Sequence, residues 1–258
     1  MLKNTLLVKI LTLVSFVGMV TVNALANILP INGIDTGAVS DAYPNLFAPA
    51  GVTFSIWGVI YLCLAAYVVY QFLPQPAKRA EIFRQLNLWF ILSSLVNATW
   101  IFFWHYQQMG VTVILMLVLL FSLIKISAIT NEKSLSTKDK LMVKIPFGLY
   151  FGWITIATIA NITTLLVSIG WKNWILPDEA WMIVILLVGA VIASITAIKA
   201  RNLAYGLVPV WAYFGIYLKH TSPLFFNNMY PSVIFVIVLC LSVFIGVNGY
   251  LVVKKKYL

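Results

Sequence analysis

Aromatic side chains recur on one face of a predicted helix. Phe54, Trp57 and Tyr61 follow one another at spacings of three and four residues, which places three rings on the same side of a helix. Trp100 and Trp153 also lie inside apolar segments, away from the interfacial positions that tryptophan usually takes. Walls of this kind suit a flat, largely apolar ligand, although packing alone would also account for the rings.

Amide side chains supply the polar groups within the same apolar segments. Asn97 precedes Trp100, and Asn161 follows Trp153. An amide in hydrocarbon must find a hydrogen-bonding partner. Two interpretations stay open at this point: these amides join neighbouring helices, or they form polar contacts in a ligand pocket.

The chain lacks the residue patterns of common enzyme and metal sites. No nucleophile and base stand in a recognisable arrangement, and no spacing of His, Cys, Asp or Glu resembles a metal site. No catalytic or metal-ligating residue is therefore predicted. An enzyme is disfavoured, because any turnover would have to rest on aromatic residues together with light or oxygen.

The composition is that of an integral membrane protein. Of the 258 residues, 62% are hydrophobic and only 9% are charged, whereas about a quarter are charged in soluble domains. The 17 basic residues outnumber the 7 acidic ones, but they lie in short clusters between apolar runs. That pattern indicates membrane topology and argues against a nucleic-acid partner. The predicted fold class is all-α, with about eight transmembrane helices in a lipid bilayer.

Eight apolar segments approach the roughly 20 residues that a membrane-crossing helix requires. They are residues 10–29, 50–73, 86–106, 111–130, 145–169, 181–198, 203–217 and 232–253. Residues 1–29 are predicted to form an N-terminal transmembrane anchor. Ala24-Leu25-Ala26 resembles a signal-peptidase site, but apolar residues continue past it, which favours a retained helix.

The distribution of basic residues predicts the orientation of the spans. With eight spans, both termini and every second connecting loop share one side. All basic residues except Lys125, Lys172 and Lys219 fall on that side. Because Lys and Arg favour cytoplasmic loops, a multi-pass protein of the cell membrane with both termini cytoplasmic is predicted. The Pro-rich loop 30–49 then faces outward.

Three motifs follow one another in the chain. Pro49, Phe54, Trp57 and Tyr61 form a proline-bearing loop followed by Phe-x-x-Trp-x-x-x-Tyr. The second motif is Asn-Ala-Thr-Trp-Ile-Phe-Phe over residues 97–103. The third is Pro-Phe-Gly-Leu-Tyr-Phe-Gly-Trp over residues 146–153, with an asparagine at 161. Together they resemble the TspO/MBR family, the translocator proteins or tryptophan-rich sensory proteins.

The resemblance covers residues 43–198 and implies a five-helix bundle over residues 50–198. The anchor 1–29, the outer loop 30–49 and two additional C-terminal helices in 199–258 would surround this core. The chain resembles a longer, divergent bacterial-type member, since Phe47-Ala48-Pro49 stands where the family has a Trp-Pro pair and Phe147 where it has tyrosine. Family members bind porphyrins and other apolar molecules. The resemblance implies no fixed cofactor, but it suggests a bound tetrapyrrole, haem or protoporphyrin.

The resulting hypothesis is a membrane sensor or carrier that holds a small apolar ligand in a pocket between the second, third and fifth spans. The predicted ligand-binding residues are Phe54, Trp57, Tyr61, Asn97, Trp100, Pro146, Tyr150, Trp153 and Asn161. Loop 30–49 is expected to cap this pocket from outside. The alternative is a permease for a small solute or lipid, which eight spans and intramembrane amides would allow.

A Gly-x-x-x-Gly step at Gly148 and Gly152 predicts a close approach of two helices. The step has two possible partners, a helix of the same bundle or a second copy of the chain in a homodimer.

Overall fold

Long helices make up most of the computed structural model, which describes residues 2–74, 77–132, 135–171 and 176–254. The long helices in these ranges are α1 (Leu2–Ile28), α3 (Ile56–Tyr70), α4 (Ala77–His105), α5 (Met109–Glu132), α7 (Ile145–Ser168), α8 (Asp178–Ala200), α9 (Leu203–Thr221) and α10 (Pro231–Val253). Two short helices, α2 (Thr36–Asp41) and α6 (Thr137–Asp139), lie in the connecting segments. Lys133, Lys172, Lys255 and Lys256, which belong to the charge argument, lie outside the described residues.

The predicted fold class is confirmed. Within the described ranges, seven helices are long and apolar enough to cross a membrane. The remaining long helix, α9, carries Pro209, Lys219 and His220 and is less apolar. Its buried residues include Tyr205 and Tyr213, so it lies largely inside the bundle, where protein and not lipid surrounds its polar groups.

Successive long helices run in alternating directions, so that the bundle has two distinct ends. At one end, Asn32 donates to the carbonyl of His105 over 3.1 Å, which brings together the C-terminal ends of α1 and α4. At the other end, the Gln71 amide donates to the Lys9 carbonyl over 3.4 Å, where α3 ends beside the start of α1. We call these the outer end and the basic end.

Two segments that were predicted as loops contain helix. Residues 74–85 were expected to connect two spans, but α4 already begins at Ala77 and carries Arg84 in a side-chain pair with Glu81. In 131–144, Ser136 caps α6 through a capping box with Asp139, and a π-helical turn over Lys140–Lys144 leads into α7. Charged helix ends lack the apolar periodicity by which spans are recognised, so the sequence placed the start of α4 too late and did not predict α6, whereas α7 begins at Ile145 as predicted.

The Gly-x-x-x-Gly step packs inside the bundle. A Cβ atom at Gly148 would lie 2.5 Å from the side chain of Asn202, and one at Gly152 would lie 2.8 Å from Cβ of Val208. Both neighbours belong to the start of α9, so the two glycines allow α7 and α9 to approach closely. The glycine step therefore offers no separate argument for a homodimer.

Candidate functional site

A cavity of about 710 Å³ opens among α1, α3, α4, α5 and α7, toward the outer end. Its walls are mainly apolar and aromatic. Segment 35–51, which includes α2, and Lys219 of α9 border its outer part. Of the nine residues predicted to bind ligand, those that line the cavity are Phe54, Trp57, Tyr61, Asn97, Trp100, Trp153 and Asn161.

Rings from α3, from the 3₁₀ turn Gly51–Ser55 before it and from α7 meet along one wall of the cavity; Phe54 lies in that turn. Trp57 stacks on Tyr61 with ring centroids 5.2 Å apart. Trp153 meets Trp57 edge-on at 6.2 Å and Phe54 edge-on at 5.9 Å. Such edge-to-face arrangements are favourable for aromatic pairs. The helical spacing on α3 thus produces a continuous aromatic surface once α7 packs against it.

Trp100 forms a second aromatic wall and is held by the bundle. Its ring stacks on Trp104 at 5.1 Å. Its indole N–H donates to Asn161 over 3.2 Å, and the Asn161 amide donates to the Thr112 hydroxyl over 3.0 Å. This chain of hydrogen bonds joins α4, α7 and α5, which fixes the orientation of the Trp100 ring.

Asn97 joins three helices at the cavity wall. Its amide nitrogen donates to the Tyr150 hydroxyl over 3.2 Å, and its carbonyl oxygen accepts from Asn23 of α1 over 2.8 Å. The two interpretations of the buried amides therefore coincide. Asn97 and Asn161 hold neighbouring helices together, and both face the cavity.

Two of the predicted residues lie away from the cavity wall. Tyr150 is fully buried behind Trp57, whose ring is 5.9 Å away, and its hydroxyl supports Asn97. Pro146 is buried in the first turn of α7, near the basic end. Both precede Trp153 on α7, and the cavity is bordered by α7 from Trp153 onward. Tyr150 and Pro146 therefore lie between the cavity and the basic end.

Two polar atoms in the cavity-lining residues have no hydrogen-bonding partner. They are the hydroxyl oxygen of Tyr61 and the indole nitrogen of Trp153, both buried. An unpaired donor away from water costs about 1–3 kcal/mol. Because neither atom is exposed to the cavity, the two donors make no polar contact available to a ligand there.

The segment between α1 and α3 forms a cap over the outer end. Val39 of α2 is buried against Trp104 and Met109. The Trp104 indole donates to the Thr36 carbonyl over 3.1 Å. His105 Nδ1 lies 3.0 Å from the Ile31 carbonyl, which can only accept, so this nitrogen carries the proton. We define the cap as residues 31–43.

Charged side chains lie where the cap meets the cavity. His105 Nε2 lies 3.0 Å from the Thr36 hydroxyl and completes the attachment of the cap. Beside it stand the exposed carboxylates of Asp35 and Asp41 and the half-buried ammonium of Lys219. Lys219 lies past the apolar part of α9; burial lowers its pKa, while the negative charge of Asp41 raises it.

A comparison with known protein families identifies the family to which this sequence corresponds. The sequence profile of the family described as TSPO-like protein matches residues 9–250. The chain belongs to this family. Neither the curated proteins nor the solved structures contain a significant match to it. The predicted TspO-type membership is therefore confirmed.

The TSPO-like match extends well beyond residues 43–198, the range of the resemblance seen in the motifs. It includes most of α1 and the whole of α9. These two helices contribute Asn23 and Lys219 to the cavity. The part of the chain that corresponds to the TSPO-like family thus contains all the helices around the cavity.

Sequence analysis did not identify three residues that shape the cavity. Asn23 lay in a segment assigned as an anchor, although an amide in an apolar span is itself a sign of a buried partner. His105 ends α4, where it is fully buried and holds the cap. Lys219 was treated only as a topology marker. Each requires the packing of distant helices before its role becomes visible.

Proposed function

We propose that this TSPO-like protein is a membrane sensor or carrier that binds a flat, largely apolar ligand of the porphyrin type in the cavity. One observation carries the proposal: the rings of Phe54, Trp57, Tyr61 and Trp153 converge on one wall of a cavity of about 710 Å³. Small-molecule sites in proteins are typically apolar and occupy roughly 300–1,000 Å³.

The chemistry of the wall supports an aromatic ligand. Stacked and edge-on rings favour the flat face or edge of another π system, by about 0.5–1.5 kcal/mol for each pair beyond simple burial. A tetrapyrrole such as protoporphyrin or haem has a π system of this kind.

The permease alternative receives no separate support from the described residues. Its argument rested on amides inside the membrane. Asn97 and Asn161 are engaged in hydrogen bonds between helices, so they have fewer groups left for a passing solute. The cap also covers the outer end of the cavity and is attached by Trp104 and His105. A bound ligand that is sensed or handed on fits these features better.

We also propose that the protein resides in the cell membrane with both termini cytoplasmic. Lys9, Arg79 and Lys144 lie at the basic end, and the outer end carries Asp35, Asp41, Asp178 and Glu179 with Lys219 and His220. The excess of basic residues at one end follows the pattern of cytoplasmic loops. The cap and the mouth of the cavity would then face away from the cytoplasm.

The test is to fill the cavity without disturbing its walls. Gly58 lines the cavity from α3 together with Trp57 and Tyr61, and a Cβ atom there meets no atom within 4 Å. Gly58→Phe should therefore occupy the ligand space while the helices keep their packing. Protoporphyrin binding, followed by its own fluorescence or by quenching of tryptophan fluorescence, should be saturable in the parent protein and lost in this variant.

Gly249→Phe is the matched control. Gly249 is exposed on α10, outside the cavity, and a Cβ atom there also meets nothing within 4 Å. This variant should bind protoporphyrin like the parent. Equal binding by the parent and Gly58→Phe, with both variants folded by size-exclusion chromatography, would place the porphyrin elsewhere and refute the cavity assignment. Unchanged tryptophan quenching when Trp57, Trp100 and Trp153 are all replaced by phenylalanine would have the same meaning.

A further inference from the structure

The ammonium group of Lys219 lies at the mouth of the cavity without a direct charge partner. Among the described residues, no carboxylate oxygen lies within the 4.0 Å that defines an ion pair with its nitrogen. The ring of Phe225 lies beside it, with its centroid 6.0 Å from the ammonium nitrogen. The side chain is half-buried and borders the cavity, so a charged group stands beside a mainly apolar space.

Hydrogen bonds between α9 and the segment that precedes α3 fix the position of this lysine. The Trp211 indole donates to the Thr53 carbonyl over 2.9 Å, and the Ala50 amide donates to the Gly215 carbonyl over 3.0 Å. His220, next to Lys219, lies with Nε2 3.0 Å from the Leu46 carbonyl. Residues 46–53 thus hold α9 at three points, and Lys219 lies next to the last of them.

Within the described residues neither nearby carboxylate forms an ion pair with Lys219, although the negative charge of Asp41 acts on it. Asp35 caps α2, where its Oδ1 accepts from the Ala38 amide over 2.8 Å, and its side chain is exposed. Asp41 is also exposed, so water screens most of its effect on an incoming charge. A half-buried ammonium is less well screened than exposed carboxylates. The lysine therefore dominates the recognition of a charge at this position.

We propose that the ligand carries an acidic group, of the carboxylate class, which pairs with Lys219 at the mouth while its apolar body lies against Trp57 and Trp153. This inference rests on the proposed function and specifies the chemistry of its ligand. It assigns a role to α9: the helix selects for a negatively charged head group. The ligand then has one orientation, with its acidic end beneath the cap.

Two porphyrins with the same ring system provide the test. Protoporphyrin carries two carboxylates, and its dimethyl ester carries none. The parent protein should bind the diacid more tightly than the ester. In Lys219→Met, the Kd of the diacid should rise about tenfold, the usual effect of losing one charge-assisted hydrogen bond. The Kd of the ester should change less than about twofold, because apolar contacts are retained.

Lys125→Met is the matched control, since Lys125 also stands over an aromatic ring, that of Phe121 at 5.1 Å, and lies outside the cavity. It should bind both porphyrins like the parent. Lys219→Arg keeps the charge and should retain the preference for the diacid. Asp41→Asn removes a repelling charge and should tighten binding of the diacid.

The possible results separate this inference from the proposed function. If Lys219→Met binds the diacid as well as the parent does, or weakens the diacid and the ester equally, recognition of the acid by Lys219 is refuted while the cavity assignment stands. If Asp41→Asn weakens binding of the diacid and Lys219→Met does not, Lys219 does not receive the acid and the proposal is wrong. If neither porphyrin binds the parent saturably, both the proposed function and this inference are refuted.

Discussion

Alanine at position 148 would place a methyl group in the space that Asn202 now occupies. A Cβ atom there lies 2.5 Å from both the oxygen and the nitrogen of the Asn202 amide and 2.7 Å from its Cγ. Asn202 cannot turn away freely. Its oxygen accepts from the Tyr205 amide over 3.1 Å and caps α9, and its nitrogen donates to the Lys144 carbonyl over 2.8 Å. Gly148→Ala should therefore loosen the joint between α7 and α9.

The expected loss follows from these contacts. Displacing Asn202 costs about 1 kcal/mol for the helix cap and about 1 kcal/mol for the bond to Lys144. Residual overpacking adds roughly 1–3 kcal/mol. Replacing glycine by alanine within a helix returns about 1 kcal/mol. The free energy of unfolding should fall by about 2–4 kcal/mol, which for a protein of this size corresponds to a midpoint about 4–16 °C lower.

Thermal unfolding in detergent, followed by circular dichroism or by the reactivity of the buried Cys240 thiol, measures this loss. Gly246→Ala on α10 is the matched control, because a Cβ atom there meets nothing within 4 Å. It should be as stable as the parent or more stable. The double variant Gly148→Ala/Asn202→Ala should be no less stable than Asn202→Ala alone, since the clash is gone. Additive losses would contradict the packing argument, and a change of oligomeric state in Gly148→Ala would place the glycine step between subunits.

Two further predictions concern the ends of the bundle. Asp139 is buried at the basic end, where it pairs with Arg79 and accepts a hydrogen bond from the Tyr70 hydroxyl. Breaking a fully buried ion pair costs roughly 3–5 kcal/mol. Because the Arg79 side chain is 27% exposed, we expect Asp139→Asn to lower the free energy of unfolding by less, about 2 kcal/mol. Glu81→Gln, which removes the exposed pair with Arg84, should change it by less than about 1 kcal/mol, and equal effects in thermal unfolding would refute the distinction. At the outer end, His105→Leu removes both side-chain attachments to Ile31 and Thr36 and should speed hydrogen exchange of the α2 amides. Tyr43→Phe, which loses one exposed bond to Gln107, should leave that exchange nearly unchanged, so unaltered protection in His105→Leu would show that the ring does not hold the cap.

The sequence was a good guide to features that follow from local patterns. Apolar length predicted the membrane helices, and the spacing of Phe54, Trp57 and Tyr61 predicted a common aromatic face, which is the face that borders the cavity. It was less successful with helix ends in 74–85 and 131–144, where charged residues obscure the periodicity. The glycine step predicted a close helix contact but could not name the partner, because the small-residue pattern is the same for a neighbouring helix and a second subunit.

Composition and periodicity by themselves determined that this is an all-α membrane protein and which rings share the face of α3. Both are local properties, since hydropathy and helical phase depend on residues within a few turns. Only the tertiary structure decided what those rings face. Trp153 completes their wall, Asn23 supports Asn97, and Lys219 stands at the cavity mouth because helices far apart in sequence pack together. The separation of two residues along the chain does not show whether they are neighbours in the fold. The cavity and the half-buried Lys219 at its mouth therefore became visible only in the folded bundle.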